Sequence, residues 1–214
     1  MRHSVKAETF FSEEEKKRIE NTTADIEKRT IGEVVVMVVD RSDQYGEAEV
    51  IGGVFLGSLF ALIASVLLLH SSLWSYIPLS FLFFFPSAYL FKKFPVLKIS
   101  FIGHRRKELA VMQRAVRAFY EKGLYKTRQN TGVLFFLSLL EHKVWVLADK
   151  GICEKIDQET LNRFAQTVSQ GIKEGRACDA LCDAMKEAGE LLARHFPITA
   201  GDTDELSDKV MTGE

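Results

Sequence analysis

Residues 34–39 have the sequence VVVMVV and are followed by Asp40. A short, continuous run of β-branched residues is typical of a strand that is buried on both faces of its sheet. Such a strand needs elements packed on both sides, so the run predicts an α/β fold. On its N-terminal side, Ser12 and Glu15 match a capping box. They predict a helix that begins at this box and ends near residues 29–32.

A long uncharged stretch follows the strand. Residues 50–91 contain no Asp, Glu, Lys or Arg, and all 28 basic and 29 acidic residues lie outside them. One membrane span needs roughly 20 apolar residues, so the stretch is long enough for two. We expect one helix at about Ala48–Leu69, a turn at His70-Ser71-Ser72, and a second helix at about Leu73–Phe91. The sequence therefore predicts a two-helix transmembrane hairpin at residues 48–91.

Small residues recur every four positions along the first helix of this hairpin, at Gly53, Gly57, Ala61 and Ser65. A face of small side chains allows another helix to approach closely. Two interpretations stay open at this point. The face packs against the second helix of the same hairpin, or it forms a homodimer with a second copy of the chain.

The segment after the hairpin is strongly basic, since residues 92–107 contain no acid. Positive charge next to a membrane span predicts the cytoplasmic side. We therefore expect an integral protein of a bacterial inner membrane, with both termini and the charged domain in the cytoplasm. The same cations are expected to contact the anionic headgroups of the bilayer. These cations are Lys92, Lys93, Lys98, Arg105, Arg106 and Lys107.

The remainder of the chain alternates helices and strands. Two apolar runs, at residues 133–140 and 144–149, are separated by the polar turn 141–143 and predict a β-hairpin. Amphipathic helices are predicted around residues 161–172 and 181–192. A further helix before the β-hairpin is predicted from one stripe of apolar side chains at helical spacing. This stripe consists of Leu109, Met112, Val116, Phe119 and Tyr120.

The predicted order of elements gives a small sheet with helices packed on its faces, an α/β sandwich interrupted by the membrane hairpin. Residues 1–47 supply the first part of this domain and residues 105–197 the second. Residues 92–104 form a basic juxtamembrane segment. Residues 198–214 form an acidic tail that we expect to be loosely ordered.

Two carboxylates, Asp40 and Asp149, follow predicted strands. If these strands are parallel neighbours, both side chains and Asp157 on the next turn converge on a Ca²⁺ or Mg²⁺ ion. If the strands are not parallel neighbours, the acids only form turns.

Cysteines offer a second possible metal site. Cys178 and Cys182 share a helix face, and Cys153 with His142 or His195 would be needed to complete a zinc site. No close Cys-x-x-Cys spacing supports that set, and two small semi-buried side chains on a packed helix are the alternative.

The sequence carries no catalytic signature. It lacks a phosphate-binding Gly-Lys-Ser/Thr loop, a Gly-x-Ser-x-Gly elbow and a His-Glu-x-x-His motif. The net charge of −1 argues against a nucleic-acid binder, which needs a basic excess. We therefore expect a protein without enzymatic activity.

Several segments of the sequence resemble the TPM-domain family, in the bacterial branch whose domain is interrupted by a membrane hairpin. The similarity extends over almost the whole chain. The matching segments are Ala115–Lys126, Thr131–Ser138, Glu141-His142-Lys143, Asp149–Ile152, Ile172–Gly175, His195-Phe196-Pro197 and Asp202–Leu206.

The resemblance implies a sheet-and-helices fold and a role beside membrane proteins. Relatives assist the assembly or repair of photosynthetic membrane complexes or act as accessory channel subunits, and some are credited with acid phosphatase activity and calcium binding. Many present a Gly-x-Gly turn where this chain has Asp149-Lys150-Gly151. Many are also exported, whereas the basic residues after the hairpin of this chain predict a cytoplasmic domain. We expect an accessory or assembly and quality-control factor for other membrane proteins. The alternatives are a weak metal-dependent phosphatase and a purely structural membrane organiser.

Overall fold

The computed structural model describes residues 6–68, 73–199 and 206–213, and it divides the chain into two compact units. The first unit comprises residues 1–42 and 108–214, and the second comprises residues 43–107. The second unit is thus an insertion in the sequence of the first. The turn predicted at residues 70–72 lies outside the described part of the chain.

The described elements are mostly helical, with four short strands. In chain order they are α1 (Ala7–Phe10), α2 (Glu13–Glu27), β1 (Glu33–Val39), α3 (Gly46–Leu68), α4 (Leu73–Lys93), α5 (Pro95–Phe101), α6 (His104–Glu121), a 3-10 helix (Leu124–Lys126), β2 (Gly132–Ser138), β3 (Lys143–Ala148), α7 (Lys150–Cys153), α8 (Gln158–Lys173), α9 (Ala177–His195) and β4 (Met211–Gly213).

The sheet of the first unit has the strand order β3-β2-β1-β4. Strand β1 is central and buried along its whole length, as its continuous β-branched sequence predicts. It pairs in parallel with β2, with Val36 opposite Phe135. Strands β2 and β3 form the predicted antiparallel hairpin, in which Phe135 lies opposite Val146. The α/β fold predicted from the sequence is confirmed.

Each face of this sheet carries its own hydrophobic core, because successive side chains of a strand point to opposite faces. On one face Val36 and Phe135 pack with buried residues of α2, α8 and α9, including Phe164 and Leu181. On the other face Phe136 and its neighbours pack with buried residues of α6. The unit is therefore a sandwich of helices, sheet and helix.

The end of the chain departs from the sequence prediction. Residues 211–213 were expected to belong to a loosely ordered tail, but they form strand β4 parallel to the free edge of β1. The backbone N–H of Asp40 donates to the carbonyl of Gly213 at 3.1 Å. Unpaired donors and acceptors on the edge of β1 supply the reason, since a buried strand edge needs partners.

The second unit contains α3, α4 and α5. Helices α3 and α4 are long and apolar enough to cross a membrane, by length and composition. The small-residue face of α3 lies against α4: a Cβ added at Gly57 would lie 3.0 Å from the backbone of Phe84, and one at Gly53 would lie 3.0 Å from Ala88 Cβ. The structure therefore shows the first interpretation of this face, packing within the hairpin.

Candidate functional site

The structure does not bring the three predicted metal ligands together. Strands β1 and β3 are separated by β2 and run in opposite directions. The backbone N–H of Asp149 donates to the carbonyl of Gly132, the first residue of β2 (2.9 Å). The carbonyl of Asp40 instead accepts from Leu140, beyond the last residue of β2 (2.9 Å). The two carboxylates thus lie at opposite ends of the sheet, and the shared site is not formed.

Each of these acids has a local structural partner. Asp40 Oδ1 accepts from the backbone N–H of Ala7 at 2.5 Å, which fixes the start of α1. Asp149 caps α7, and Asp157 caps α8 by accepting from the backbone N–H of Thr160 at 2.8 Å. These bonds satisfy N–H groups that have no partner at the start of a helix.

One predicted ligand keeps an unused oxygen. Asp149 Oδ1 accepts from the N–H of Lys150, while Asp149 Oδ2 is buried without a hydrogen-bond partner. Calcium takes about six to eight oxygen ligands, so a single carboxylate oxygen is too few. Across the described residues no group of three His, Cys, Asp or Glu side chains is placed to hold a metal. Asp40, Asp149 and Asp157 therefore serve as separate turn and cap residues in the described part of the chain.

Two of the cysteines are small side chains packed on a helix, the alternative to a zinc site. Cys178 and Cys182 are buried on α9, whereas Cys153 is exposed on α7. Burial, together with the neighbouring Cys182, raises the pKa of the Cys178 thiol to about 12. Both thiols of α9 belong to the hydrophobic core on that face of the sheet.

The first unit contains an acidic group that no sequence motif indicates, and it consists of Glu27, Glu33 and Asp208. Glu27 lies at the end of α2, and its Oε1 accepts from the backbone N–H of Val34 at 3.2 Å. Burial, a hydrogen bond to Asp208 and the charge of Glu33 raise the pKa of Glu27 to about 9. The raised pKa favours the protonated form of Glu27 at neutral pH, and its hydrogen bond to Asp208 joins α2 to the C-terminal segment.

We expect this proton to make the stability of the first unit depend on pH. The folded pKa of about 9 exceeds the ordinary value of 4.5, so the folded chain binds the proton more tightly than the unfolded chain. Stability must then fall as the pH rises from about 4.5 to about 9. In Glu27→Gln the fall should be shallower, because the amide cannot ionise. Thermal unfolding in mild detergent across this pH window measures the difference.

Glu14→Gln is the matched control, since Glu14 is an exposed residue on the same helix. Its pH profile should follow that of the native chain. Parallel profiles for the native chain and Glu27→Gln would mean that Glu27 is not protonated in the folded state.

Two of the cations predicted to contact lipid headgroups are instead paired inside the second unit. Lys98 Nζ donates to Glu49 Oε1 at 2.5 Å and to the carbonyl of Gln44 at 3.0 Å. Arg106 pairs with Asp43 and Glu47 at 2.5 Å and 2.9 Å. These acids lie in the segment that leads into α3 and in the first turn of α3. The sequence prediction did not pair them with the cations. Lys92, Lys93 and Arg105 remain exposed.

Helix α6 exposes part of the apolar stripe that predicts it. Its buried residues are instead mainly small: Ala110, Val111, Ala115, Ala118 and Phe119. Small side chains let α6 approach the sheet closely, so the core selects that side of the helix. Of the predicted stripe, Phe119 is buried, whereas Leu109, Val116 and Tyr120 are exposed.

We call this outward surface the α6 face and define it by Leu109, Val116 and Tyr120. All three side chains are exposed, and Tyr120 is 60% exposed. They lie seven and four residues apart, which places them on one side of a helix. Tyr125 extends the face, with its ring centroid 5.3 Å from that of Tyr120. The α6 face thus places three large apolar side chains in solvent on one side of a helix.

The chain is similar to known proteins in two comparisons. Residues 102–191 match the family model described as TPM domain. The structure is similar to the NMR structure of the BA42 protein from the psychrophilic bacterium Bizionia argentinensis, with a TM-score of 0.61 and 21% sequence identity. That similarity covers 97% of this chain and 99% of BA42, and at this identity it shows the fold. No curated protein matches the sequence.

Proposed function

We propose, from the premise that this chain carries a TPM domain, that it is a membrane-anchored accessory or assembly and quality-control factor without enzymatic activity, which binds other membrane proteins. The observation that carries the proposal is the α6 face. Besides the residues that α6 packs against the sheet, three large apolar side chains lie exposed among its polar residues, and the core of the unit does not use them. That second surface is available to a partner.

The hairpin supports the anchor in this proposal. Helices α3 and α4 expose large apolar side chains along their length, including Phe55, Phe81 and Phe85. In water these side chains would cost free energy, whereas hydrocarbon accepts them. Together with the lack of acidic and basic residues between positions 50 and 91, this exposure supports a bilayer-spanning pair of helices.

The charges next to the hairpin support an orientation with the TPM domain in the cytoplasm. Lys92, Lys93 and Arg105 lie exposed beyond α4. Cations close to a span favour the cytoplasmic side. A fluorescent reporter fused to the C-terminus in a bacterial host should be bright, and a periplasm-active phosphatase fused there should be silent. The reverse pair of results would place the domain outside the cytoplasm.

The α6 face has the chemistry of a protein-binding surface. Tyrosine is enriched among residues whose loss weakens interfaces most, because it combines a large apolar area with a hydroxyl group. Leu109 and Val116 supply aliphatic contacts beside Tyr120. A helix of a partner protein can place its own apolar stripe along such a face. We therefore propose the α6 face as the partner-binding surface.

Charges placed in the α6 face should abolish partner binding. In tagged full-length chain at native expression, Val116→Glu and Tyr120→Glu are each expected to weaken recovery of membrane partners by about tenfold or more, since a buried interface charge has no partner. Purification in a gentle detergent, followed by mass spectrometry, measures the recovery. Both side chains are exposed, so folding should be unaffected, which circular dichroism checks.

Gln166→Glu is the matched control, because it adds the same charge at an exposed position on α8. It should leave recovery unchanged. If the native chain repeatedly purifies alone, the accessory-factor proposal fails and a purely structural membrane organiser takes its place. If all three variants behave alike, partners bind elsewhere than the α6 face.

A further inference from the structure

Helix α5 has the opposite arrangement of side chains from that of a helix in a water-soluble protein. Its lysine, Lys98, is buried and only 3% exposed. Its apolar residue Val96 is 61% exposed, and Leu97 and Phe101 are exposed as well. An amphipathic helix in water buries its apolar side and leaves its lysine in solvent. The arrangement in α5 lowers the free energy only where the surroundings are apolar.

The contacts of α5 hold it at the end of the hairpin next to the start of α3. Lys98 pairs with Glu49 in α3, and the Phe101 ring lies near those of Phe55 and Phe91, with centroids 6.0 Å and 5.1 Å away. The exposed apolar side of α5 is therefore continuous with the exposed apolar side of α3, to which Phe55 belongs. These contacts all lie within the second unit.

Charge distinguishes this surface from the spanning helices. Lys92 and Lys93 come immediately before α5 and are exposed, and Arg105 follows it and is exposed. Residues 92–107 contain no acid that would neutralise them. Exposed apolar side chains flanked by exposed basic side chains fit the boundary between acyl chains and anionic headgroups.

We infer that α5 is an interfacial membrane helix, with Val96, Leu97 and Phe101 in the headgroup–acyl boundary of a bilayer that contains anionic lipid. The Lys98–Glu49 ion pair holds the helix at that depth by joining it to α3. This inference rests on the proposed membrane anchor and adds a second kind of lipid contact to it. The lipid ligands are the acyl boundary for the apolar residues and anionic headgroups for Lys92, Lys93 and Arg105.

Depth-dependent fluorescence quenching tests the inference on the full chain. The background carries Trp74→Phe and Trp145→Phe, so that one introduced tryptophan reports alone. The three reporters are Val96→Trp in α5, Phe81→Trp in α4 and Arg128→Trp in an exposed loop. The protein is reconstituted into vesicles of phosphatidylcholine and phosphatidylglycerol. Brominated phosphatidylcholine then supplies a quencher near the headgroup or at the middle of the acyl chain.

Tryptophan at position 96 should lose more emission to shallow bromines than to deep ones, whereas tryptophan at position 81 should show the reverse order. Tryptophan at position 128 should keep its emission. Leu97→Trp repeats the test at a second exposed position of α5. Quenching at 81 with none at 96 and 97 would overturn the interfacial helix and leave the anchor intact. Deep quenching at 96 would also overturn it. Absence of quenching at 81 would overturn the membrane anchor itself.

Discussion

Replacing Lys98 with alanine is expected to lower the free energy of unfolding of the second unit by about 3 kcal/mol. Removing one partner of a buried ion pair typically costs about 3–5 kcal/mol, because the remaining charge is left without compensation. The lower end applies here because the Glu49 side chain is 27% exposed and keeps some hydration. Loss of Lys98 also leaves the carbonyl of Gln44 without the ammonium group that it accepts from.

Unfolding in mixed micelles with increasing SDS measures this effect. A Trp145→Phe background leaves Trp74, at the start of α4, as the reporter of the second unit. Lys92→Ala is the control: this lysine is exposed, so its loss should change stability by less than about 0.5 kcal/mol. The pair Lys98→Met with Glu49→Leu should recover most of the loss, since apolar residues of similar volume replace buried ion pairs well. Equal effects of Lys98→Ala and Lys92→Ala would show that the pair is solvated.

The second large effect is expected at the contact between α8 and α9. A Cβ added at Gly171 would lie 2.1 Å from the Cβ of Ala180, far inside van der Waals contact. Both atoms are fixed to helix backbones, so Gly171→Ala must push the helices apart. Overpacking typically costs about 1–3 kcal/mol, and we expect the upper part of this range. The better helix propensity of alanine, about 1 kcal/mol, offsets part of the cost.

Exchanging the two residues provides the sharpest test of this contact. Gly171→Ala combined with Ala180→Gly restores the total side-chain volume at the contact and should recover most of the lost stability. Denaturant unfolding in mild detergent, followed by Trp145 in a Trp74→Phe background, reports on the first unit. Gln166→Ala, at an exposed position of α8, should have little effect. A gain of stability in the single variant Gly171→Ala would mean that the helices are not in close contact there.

The sequence predicted those parts of the fold that local patterns specify. The run at residues 34–39 identified the central strand, and Ser12 with Glu15 identified the start of α2, where both capping-box hydrogen bonds are present. The resemblance to the TPM family is confirmed over residues 102–191. For the central strand and the start of α2, one short segment carries enough information, either as a continuous apolar run or as a cap.

The features that the sequence missed depend on distant residues. Strand β4 has the sequence Met-Thr-Gly, which has no strand signal of its own, and it forms because β1 has a free edge. The core side of α6 is lined mainly by small residues such as Ala110, Ala115 and Ala118, and Phe119 is the buried residue of the stripe that predicts the helix. The acids that pair with Lys98 and Arg106 precede them by about 50 to 60 positions. Lys98 is the single charged residue of the mostly apolar segment 95–101, and this contrast was the sign in the sequence that it needs a partner.

The candidate metal ligands illustrate the same limit at the level of the site. Asp40 and Asp149 both follow strands, and this much is readable from sequence. Whether they meet depends on the direction and order of the strands, which the intervening β2 decides. A carboxylate at the end of a strand is therefore only half of a site prediction, and the sheet topology is the other half.

The position of the insertion also determines the order in which the chain can mature during synthesis. Strand β1 leaves the ribosome before the hairpin, yet its parallel partner β2 begins only at Gly132. At typical elongation rates of about 5–20 residues per second, the backbone edge of β1 that pairs with β2 stays unpaired for several seconds. The hairpin is thus synthesised before the sheet can close, and β1 needs protection from aggregation in the nascent chain throughout that interval.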